Sequence, residues 1–204
     1  MRRNIIVTFT LFFSVLLFVG CDSGPKITAL GQETVVLAFG DSLTYGTGAP
    51  VGQSYPDVLA NLLGKPVINA GVPGEVSSAG LKRLPGMLDK YNPTLVVLCH
   101  GGNDFLRRLD REGTIHNLKA MLELIRDHGA NVVFIGVPKL GFGLDVPKFY
   151  ATIAEEQDIP YQGDILLDLL DNNSMKSDSI HPNATGYRLM AEAVYEVINK
   201  AQRK

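Results

Sequence analysis

Two short segments, far apart along the chain, carry side chains that could together perform nucleophilic catalysis. Gly40-Asp41-Ser42-Leu43 offers a serine hydroxyl, and Asp178-Ser179-Ile180-His181 offers an imidazole with a carboxylate three residues before it. A serine hydroxyl is a weak nucleophile that needs a base. A carboxylate that holds one imidazole nitrogen leaves the other free to act as that base. The pattern therefore predicts Ser42 as nucleophile, His181 as base and Asp178 as the orienting acid.

Two glycine-containing segments offer groups that could stabilise negative charge on a reacting oxygen. Gly71, in Asn69-Ala70-Gly71, could offer an unobstructed backbone N–H, and Asn103, in Gly101-Gly102-Asn103-Asp104, could donate its side-chain amide. Donors of this kind stabilise an oxyanion. With the backbone N–H of Ser42 they would form an oxyanion hole. We expect Asp104 to support its loop, and we expect His100 to be structural.

Each motif also has an ordinary structural explanation. Ser42 would suit a helix cap or a phosphate-binding loop, and Gly71 and Asn103 are common turn residues. Asp178 and His181 would suit a surface carboxylate followed by a helix-capping histidine. A nucleophile, a base, an acid and oxyanion donors in one chain favour serine-hydrolase chemistry over these separate explanations.

Alternating strands and helices are predicted to bring these motifs to one edge of a sheet. The predicted strands are Thr34–Phe39, Pro66–Asn69, Thr94–Cys99, Asn131–Val137 and Ile159–Tyr161. Strands that alternate with helices pair in parallel through right-handed crossovers, which gives an α/β fold, a three-layer α/β/α sandwich. Ligands bind such sheets outside the carboxyl ends of the strands. Three of the motifs directly follow predicted strands.

Apolar residues at helical spacing predict the intervening helices. The helical segments begin near Tyr55, Leu81, Ile115, Val146 and Tyr187. Predicted N-terminal caps for the first three are Ser54, then Ser77 or Ser78, then Thr114. Gly64 and Gly129 are predicted helix ends.

The four motifs resemble the conserved blocks of the SGNH (GDSL) hydrolases, over roughly residues 34 to 200. The sequence around Tyr55-Pro56, Asn69-Ala70-Gly71 and Leu81 through Pro85 is similar to that of the bacterial periplasmic thioesterase, lysophospholipase and arylesterase group. The resemblance implies a flavodoxin-like five-stranded parallel sheet in the order 2-1-3-4-5. It also implies ester or thioester hydrolysis through an acyl-enzyme on Ser42, with an oxyanion hole of Ser42, Gly71 and Asn103, and with no metal or organic cofactor.

The substrate is expected to be a small-molecule acyl ester. The segment Pro138–Leu144 is a candidate acyl-binding loop, because its counterpart in the resembled group contacts the acyl chain; a packed turn is the alternative. Leu140 and Phe142 in this loop, with Phe105 as an apolar wall, are the candidate substrate contacts. The loop is shorter here, so we expect short-to-medium acyl chains.

Other functions remain open at this point. A carbohydrate or peptidoglycan O-acetylesterase would use the same triad. A flavin-binding protein is suggested by a set of residues that resembles a phosphate-binding loop, namely Ser42, Thr44, Gly46, Thr47 and Gly48. The carboxylate of Asp41 would repel a phosphate there. An inactive scaffold of the cell envelope is a third alternative.

The first twenty residues have the layout of a bacterial signal peptide. Arg2 and Arg3 precede an almost wholly apolar run, Ile5–Val19, which is short for a membrane span. Phe18-Val19-Gly20-Cys21 resembles a lipobox, so we expect residues 1–20 to be removed and Cys21 to be lipidated. An uncleaved anchor and ordinary secretion with a free Cys21 are the alternatives.

Residues 21–33 would then form a lipidated tether, and residues 34–204 the catalytic domain. The expected location is the bacterial cell envelope, facing the periplasm, and Asp22 is associated with retention at the inner membrane. The net charge of −2 gives no basic face for nucleic acid. After cleavage Cys99 would be the one free thiol, expected in the core of a monomer without an intramolecular disulfide.

Overall fold

A five-stranded parallel sheet forms the centre of the molecule. The structure, a computed structural model, describes residues 24–140 and 143–202. The strands of this sheet are β1 (Val36–Gly40), β2 (Val67–Gly71), β3 (Leu95–Cys99), β4 (Asn131–Ile135) and β7 (Tyr161–Gln162), in the order β2-β1-β3-β4-β7. The predicted fold and strand order are confirmed. A separate antiparallel pair, β5 (Lys139–Leu140) with β6 (Leu144–Asp145), was not predicted.

Helices cover both faces of the sheet. They are α1 (Ser42–Tyr45), α2 (Tyr55–Leu63), α3 (Ser77–Tyr91), α4 (Gly102–Leu106), α5 (Arg111–Asp127), α6 (Phe149–Glu156), α7 (Ile165–Asp171) and α8 (Ala184–Ala201), with a 3₁₀ turn at Asn173–Met175. The crossovers from β1 to β2 and from β2 to β3 run in opposite directions, so right-handed connections put α2 and α3 on opposite faces. Accordingly α2 packs against α8, and α3 packs against α5. Within the described ranges, no helix is long and apolar enough to cross a bilayer.

The two central strands explain why the sequence has continuous apolar runs. Every residue of β1 and of β3 is buried. A strand covered by helices on both faces has no solvent side, so polar residues do not alternate along it. Cys99, at the end of β3, is a buried free thiol, and burial raises its pKa well above the usual range. It is a core residue, as predicted.

One predicted cap is confirmed by a complete set of hydrogen bonds. Ser54 precedes α2, and its hydroxyl accepts from the N–H of Asp57, while the Asp57 carboxylate accepts from the N–H of Ser54. Pro56 lies in the first turn, where a missing N–H costs nothing. Gly64 ends the helix with a φ of +61°, a conformation in which glycine has no steric penalty.

The other two predicted caps are wrong, because a tertiary contact recruits both hydroxyls. The residue before α3 is Val76, without a side-chain cap, while the cap of α5 is Asp110, which accepts from the Gly113 N–H. The hydroxyls of Ser77 and Thr114 instead donate to the buried carboxylate of Asp104.

The amino-terminal segment is less free than the predicted tether. Ile27 is buried, and its N–H donates to the carbonyl of Ala201 at the end of α8. The N–H of Thr28 donates to the side chain of Asn131, where β4 begins. These contacts attach the chain to the domain from Ile27 onward, ahead of the predicted start of the domain at Thr34. Residues 1–23, which contain the predicted signal peptide and Cys21, lie outside the described residues.

Two glycines of α3 are in opposite surroundings, which gives a test of the packing. A Cβ on Gly80 would collide with the buried ring of His100, whereas a Cβ on Gly86 would meet nothing. Glycine in a helix interior is less stable than alanine by about 1 kcal/mol. We therefore expect Gly86→Ala to raise the free energy of unfolding by about that amount. Overpacking makes Gly80→Ala cost about 1 to 3 kcal/mol.

Urea denaturation of both variants beside the parent protein measures this difference. Each variant serves as the control for the other, because the helix and the substitution are the same. Equal effects of the two substitutions would contradict the packing of His100 against Gly80.

Candidate active site

The sheet topology brings the candidate residues to one edge. Gly40, the last residue of β1, is level with Gly71 at the end of β2 and with Cys99 at the end of β3. Ser42 follows two residues after Gly40, and Asn103 follows four residues after Cys99. His181 reaches the same edge from the loop before α8. This is the edge at which ligands bind to parallel sheets.

Ser42, His181 and Asp178 are connected by hydrogen bonds. The Oγ of Ser42 lies 3.0 Å from Nε2 of His181, and Nδ1 of His181 lies 2.8 Å from Oδ2 of Asp178. The other oxygen of Asp178 accepts from the N–H groups of Ile180 and His181, at 2.8 Å each. The carboxylate thus holds both the imidazole and the turn that carries it.

The electrostatics of this group favour one tautomer of the imidazole. Partial burial raises the pKa of Asp178, but the bonds from the His181 ring and from two backbone N–H groups outweigh it and lower the pKa below its usual value. An ionised Asp178 favours the proton on Nδ1 of His181, which leaves the Nε2 lone pair facing Ser42. This is the arrangement that a general base requires.

The position of Ser42 depends on a close approach of two strands. A Cβ on Gly40 would collide with the carbonyl oxygen of Cys99 and with the side chain of Thr44. Asp41 then caps the one-turn helix α1, and its Oδ1 accepts from the N–H of Leu43 at 3.0 Å. The N–H of Ser42, at the start of this helix, has no acceptor among the described residues.

Asn103 is held by the same carboxylate that caps α1. Its amide nitrogen donates to Oδ2 of Asp41 at 3.1 Å, which leaves the second N–H of the amide available. Asp41 is only 1% exposed. Burial raises its pKa, and the charges and hydrogen bonds of His100, Leu43 and Asn103 offset that effect only in part. From the sequence, Asp41 was expected only to repel phosphate, and its contact with Asn103 was not predicted.

The N–H of Gly71, a predicted oxyanion donor, is already bound. It donates to Oδ1 of Asn69 at 2.9 Å. Three residues later, Gly74 has a φ of +76° and an N–H without an acceptor among the described residues. Val72 to Glu75 form a turn closed by the Glu75 N–H and the Val72 carbonyl, with proline and glycine at the central positions, as in a type II turn. The Pro73-Gly74 pair, typical of such a turn, was the signal in the sequence that could have indicated the N–H of Gly74 as a candidate oxyanion donor.

Arg83 holds two strand ends together behind the site. Its guanidinium donates to the carbonyls of Ala70 at 2.8 Å and Gly40 at 3.2 Å, and it pairs with Glu75 at 2.7 Å. Glu75 also contacts Nε2 of His100 at 3.2 Å. Burial raises the pKa of Glu75, but its hydrogen bonds with His100 and Arg83 together have the larger effect, so the pKa lies below its usual value. His100 is buried and structural, as expected, and Arg83 is a positioning residue that the sequence analysis missed.

An apolar cleft opens beside Ser42. Its apolar walls are Leu43, Phe105, Leu106, Val137, Pro138, Leu170 and Ile180. Phe105 lies where the prediction put it. The side chain of Leu140 and all of Phe142 lie outside the described residues, so their predicted contacts stay predictions. Within the part of the chain that the structure describes, no three histidine, cysteine or acidic side chains are grouped to hold a metal ion.

Comparison of the sequence and the fold with known proteins finds esterases and related acylhydrolases. The model of the GDSL-like Lipase/Acylhydrolase family matches residues 38–189. An arylesterase of Vibrio mimicus is 32% identical over 81% of this chain and 88% of its own length. Thioesterase 1/protease 1/lysophospholipase L1 of Escherichia coli strain K12 is 27% identical over 77% of this chain and 79% of its own. The crystal structure of AlinE4, an SGNH-hydrolase family esterase, superposes with a TM-score of 0.64 at 30% identity, over 85% of this chain and 98% of AlinE4.

The fold is that of an SGNH hydrolase. The chain belongs to the GDSL-like lipase/acylhydrolase family. It is a carboxylic ester hydrolase, with relatives named arylesterase, thioesterase and lysophospholipase.

Replacement of Asp41 by asparagine separates its two contacts. An asparagine oxygen can still accept from the Leu43 N–H, but its amide would face the amide of Asn103, donor against donor. We expect Asp41→Asn to retain its fold and to lose roughly 10²-fold in kcat, because loss of an oxyanion donor costs about that much.

The kinetics of p-nitrophenyl butyrate hydrolysis measure this effect. Asp110→Asn is the matched control, since Asp110 caps α5 in the same way at an exposed position. Equal activities of the two variants would show that Asp41 does not position Asn103.

Proposed function

We propose that this esterase uses Ser42 as nucleophile, His181 as general base and acid, and Asp178 as the orienting carboxylate. The observation that carries the proposal is the continuous hydrogen-bonded series from Ser42 Oγ to Asp178, at 3.0 and 2.8 Å, at the mouth of an apolar cleft. Nε2 of His181 takes the Ser42 proton as Oγ attacks the acyl carbonyl. The same nitrogen returns that proton to the departing alcohol or thiol, and water then hydrolyses the acyl-enzyme by the reverse sequence.

The developing oxyanion would be bound by the Ser42 N–H and by the free N–H of the Asn103 amide. For the third donor we propose Gly74, because its N–H has no acceptor among the described residues, in addition to the predicted Gly71. Gly71 can contribute only if Asn69 shares or releases its N–H. All these donors belong to strand ends and short turns that Arg83 and Asp41 hold in place. Donors held in position before the reaction need no reorganisation in the transition state.

The substrate is proposed to carry a short-to-medium acyl chain. The cleft beside Ser42 has mostly apolar walls. Apolar walls favour an acyl chain over a sugar, and the short Pro138–Leu144 loop is the reason for expecting a limited chain length. A carbohydrate or peptidoglycan O-acetylesterase, which would use the same three residues, is the second candidate.

A chain-length series tests both the nucleophile and the substrate. We expect hydrolysis of p-nitrophenyl acetate, butyrate and octanoate, with a fall at laurate, and we expect Ser42→Ala to lose activity by several orders of magnitude. Ser179→Ala is the control, because Ser179 is an exposed serine in the His181 segment.

Each outcome of this series has a distinct meaning. Activity on acetate alone would favour the O-acetylesterase, and a maximum at laurate would contradict the proposed acyl preference. An Ser42→Ala variant with the rate of the parent would refute the triad.

We also propose that the chain is a monomeric lipoprotein of the bacterial cell envelope, lipidated on Cys21 after removal of residues 1–20 and facing the periplasm. The support is the charged, apolar and small-residue order before Cys21. Asp22 makes the inner membrane the expected location in bacteria that use this residue for sorting.

The two cysteines of the chain provide a matched test of lipidation. We expect labelled palmitate to be incorporated by the parent and by Cys99→Ala, but not by Cys21→Ala, because only Cys21 follows the signal segment. Mass spectrometry of the amino-terminal peptide identifies the modified residue. Label retained in Cys21→Ala would exclude the proposed anchor.

A further inference from the structure

The chain enters the domain at the edge of the sheet opposite the active site. Ile27 is bound to Ala201 at the end of α8, and Thr28 is bound to Asn131 at the beginning of β4. Beginnings of parallel strands lie at one edge, which we call the amino edge, and their ends lie at the other, the carboxyl edge. Ser42 and His181 lie at the carboxyl edge.

Helix α8 gives the distance between the two edges. It begins at Ala184, three residues after His181, and it ends at Ala201, whose carbonyl binds Ile27. At 1.5 Å per residue its 18 residues span about 27 Å. The contacts of Ile27 therefore lie about 27 Å from the candidate catalytic residues.

The chain between Cys21 and Ile27 is shorter than that distance. Six residues, fully extended, span about 21 Å at most. A lipid on Cys21 therefore cannot bring the mouth of the cleft face-on to the bilayer that holds it. The packing of Ile27, which is 2% exposed, removes the slack that a free tether up to Thr34 would have given.

We infer that the anchored enzyme rests with its amino edge towards its own membrane and its active site directed away from it. This orientation rests on the lipidation of Cys21 proposed above. Its consequence is a substrate class: esters that arrive through the aqueous phase are hydrolysed, and esters embedded in the anchoring bilayer are spared.

The surface of the carboxyl edge is consistent with a substrate that reaches the cleft through the aqueous phase. Five large apolar side chains are exposed in the loops that follow the strands, namely Tyr45, Val51, Val72, Leu106 and Leu109. Leu106 also lines the cleft. We call these five side chains the apolar rim. Leu106, which lies at the cleft, can contact a dispersed, single-chain amphiphilic ester before the acyl chain enters.

The orientation can be measured by energy transfer, because the chain contains no tryptophan. A single reporter is introduced at each edge of the full chain: Leu62→Trp, near the end of α2 at the amino edge, and Leu109→Trp at the carboxyl edge. Both leucines are partly exposed, at 37% and 46%. The lipidated variants are reconstituted on the outside of phosphatidylcholine and phosphatidylglycerol vesicles that contain dansyl-phosphatidylethanolamine, and circular dichroism verifies their folding.

We expect transfer to the dansyl lipid to be at least roughly twofold greater from Leu62→Trp, because the two edges are about 27 Å apart. Equal transfer, or greater transfer from Leu109→Trp, would overturn the orientation. Mass spectrometry that finds no lipid on Cys21 would overturn it as well, but hydrolysis of soluble esters would be unaffected, so that failure is distinguishable from failure of the esterase mechanism.

A longer tether tests the consequence for substrate choice. Insertion of about 40 glycine and serine residues between Ser23 and Gly24 adds a reach of roughly 35 Å. We expect roughly tenfold faster hydrolysis of a bilayer-embedded ester, with unchanged hydrolysis of soluble p-nitrophenyl butyrate. The same insertion after Lys204 is the control. A parent protein that already hydrolyses the embedded ester at the rate of the long-tether protein would refute the inference.

Discussion

The buried carboxylate of Asp41 is the interaction on which the candidate active site depends. One oxygen caps the helix that begins at Ser42, and the other accepts from Asn103. A buried carboxylate is costly unless its oxygens are hydrogen-bonded. Its raised pKa means that the native state binds the Asp41 proton more tightly than the unfolded state does. Ionisation of Asp41 therefore reduces stability as the pH rises above the ordinary value of an aspartate. The protein tolerates that cost at the point where two strand ends must keep a fixed separation.

The fold was predictable because its information is local and repeated. Apolar runs alternate with helical spacing from β1 to α8, and such elements form a parallel sheet with right-handed crossovers. The order of the strands was predicted from the resemblance to the SGNH hydrolases. The contact of Asp178 with His181 was predictable for a similar reason, because residues three positions apart on one turn can face the same side. The contact of Ser42 with His181 joins residues 139 positions apart. It could be inferred only because the predicted fold brings both motifs to the same edge of the sheet.

The errors of the sequence analysis lie where a tertiary contact overrides a local preference. Ser77 and Thr114 are good caps by residue type, but the buried Asp104 requires their hydroxyls. Ile27 lies in a short, mostly polar segment with no strand or helix pattern, so its spacing did not indicate that it is buried. Gly71 was predicted as a donor because it follows the predicted strand Pro66–Asn69, and Gly74 was not considered. The bond from Gly71 to Asn69 depends on a side chain whose direction no spacing rule gives.

The arrangement around the cleft separates two tasks, the positioning of catalytic groups and the first contact with the substrate. Asp41, Arg83 and the strand ends fix the donors for catalysis, and none of these residues contributes to the exposed apolar rim at Tyr45, Val51, Val72, Leu106 and Leu109. The rim residues lie on loops and short helices, whose sequence can change without moving a strand end. The rigid sheet thus determines the chemistry. The loops, together with the position at which the chain enters the domain, determine which esters reach Ser42.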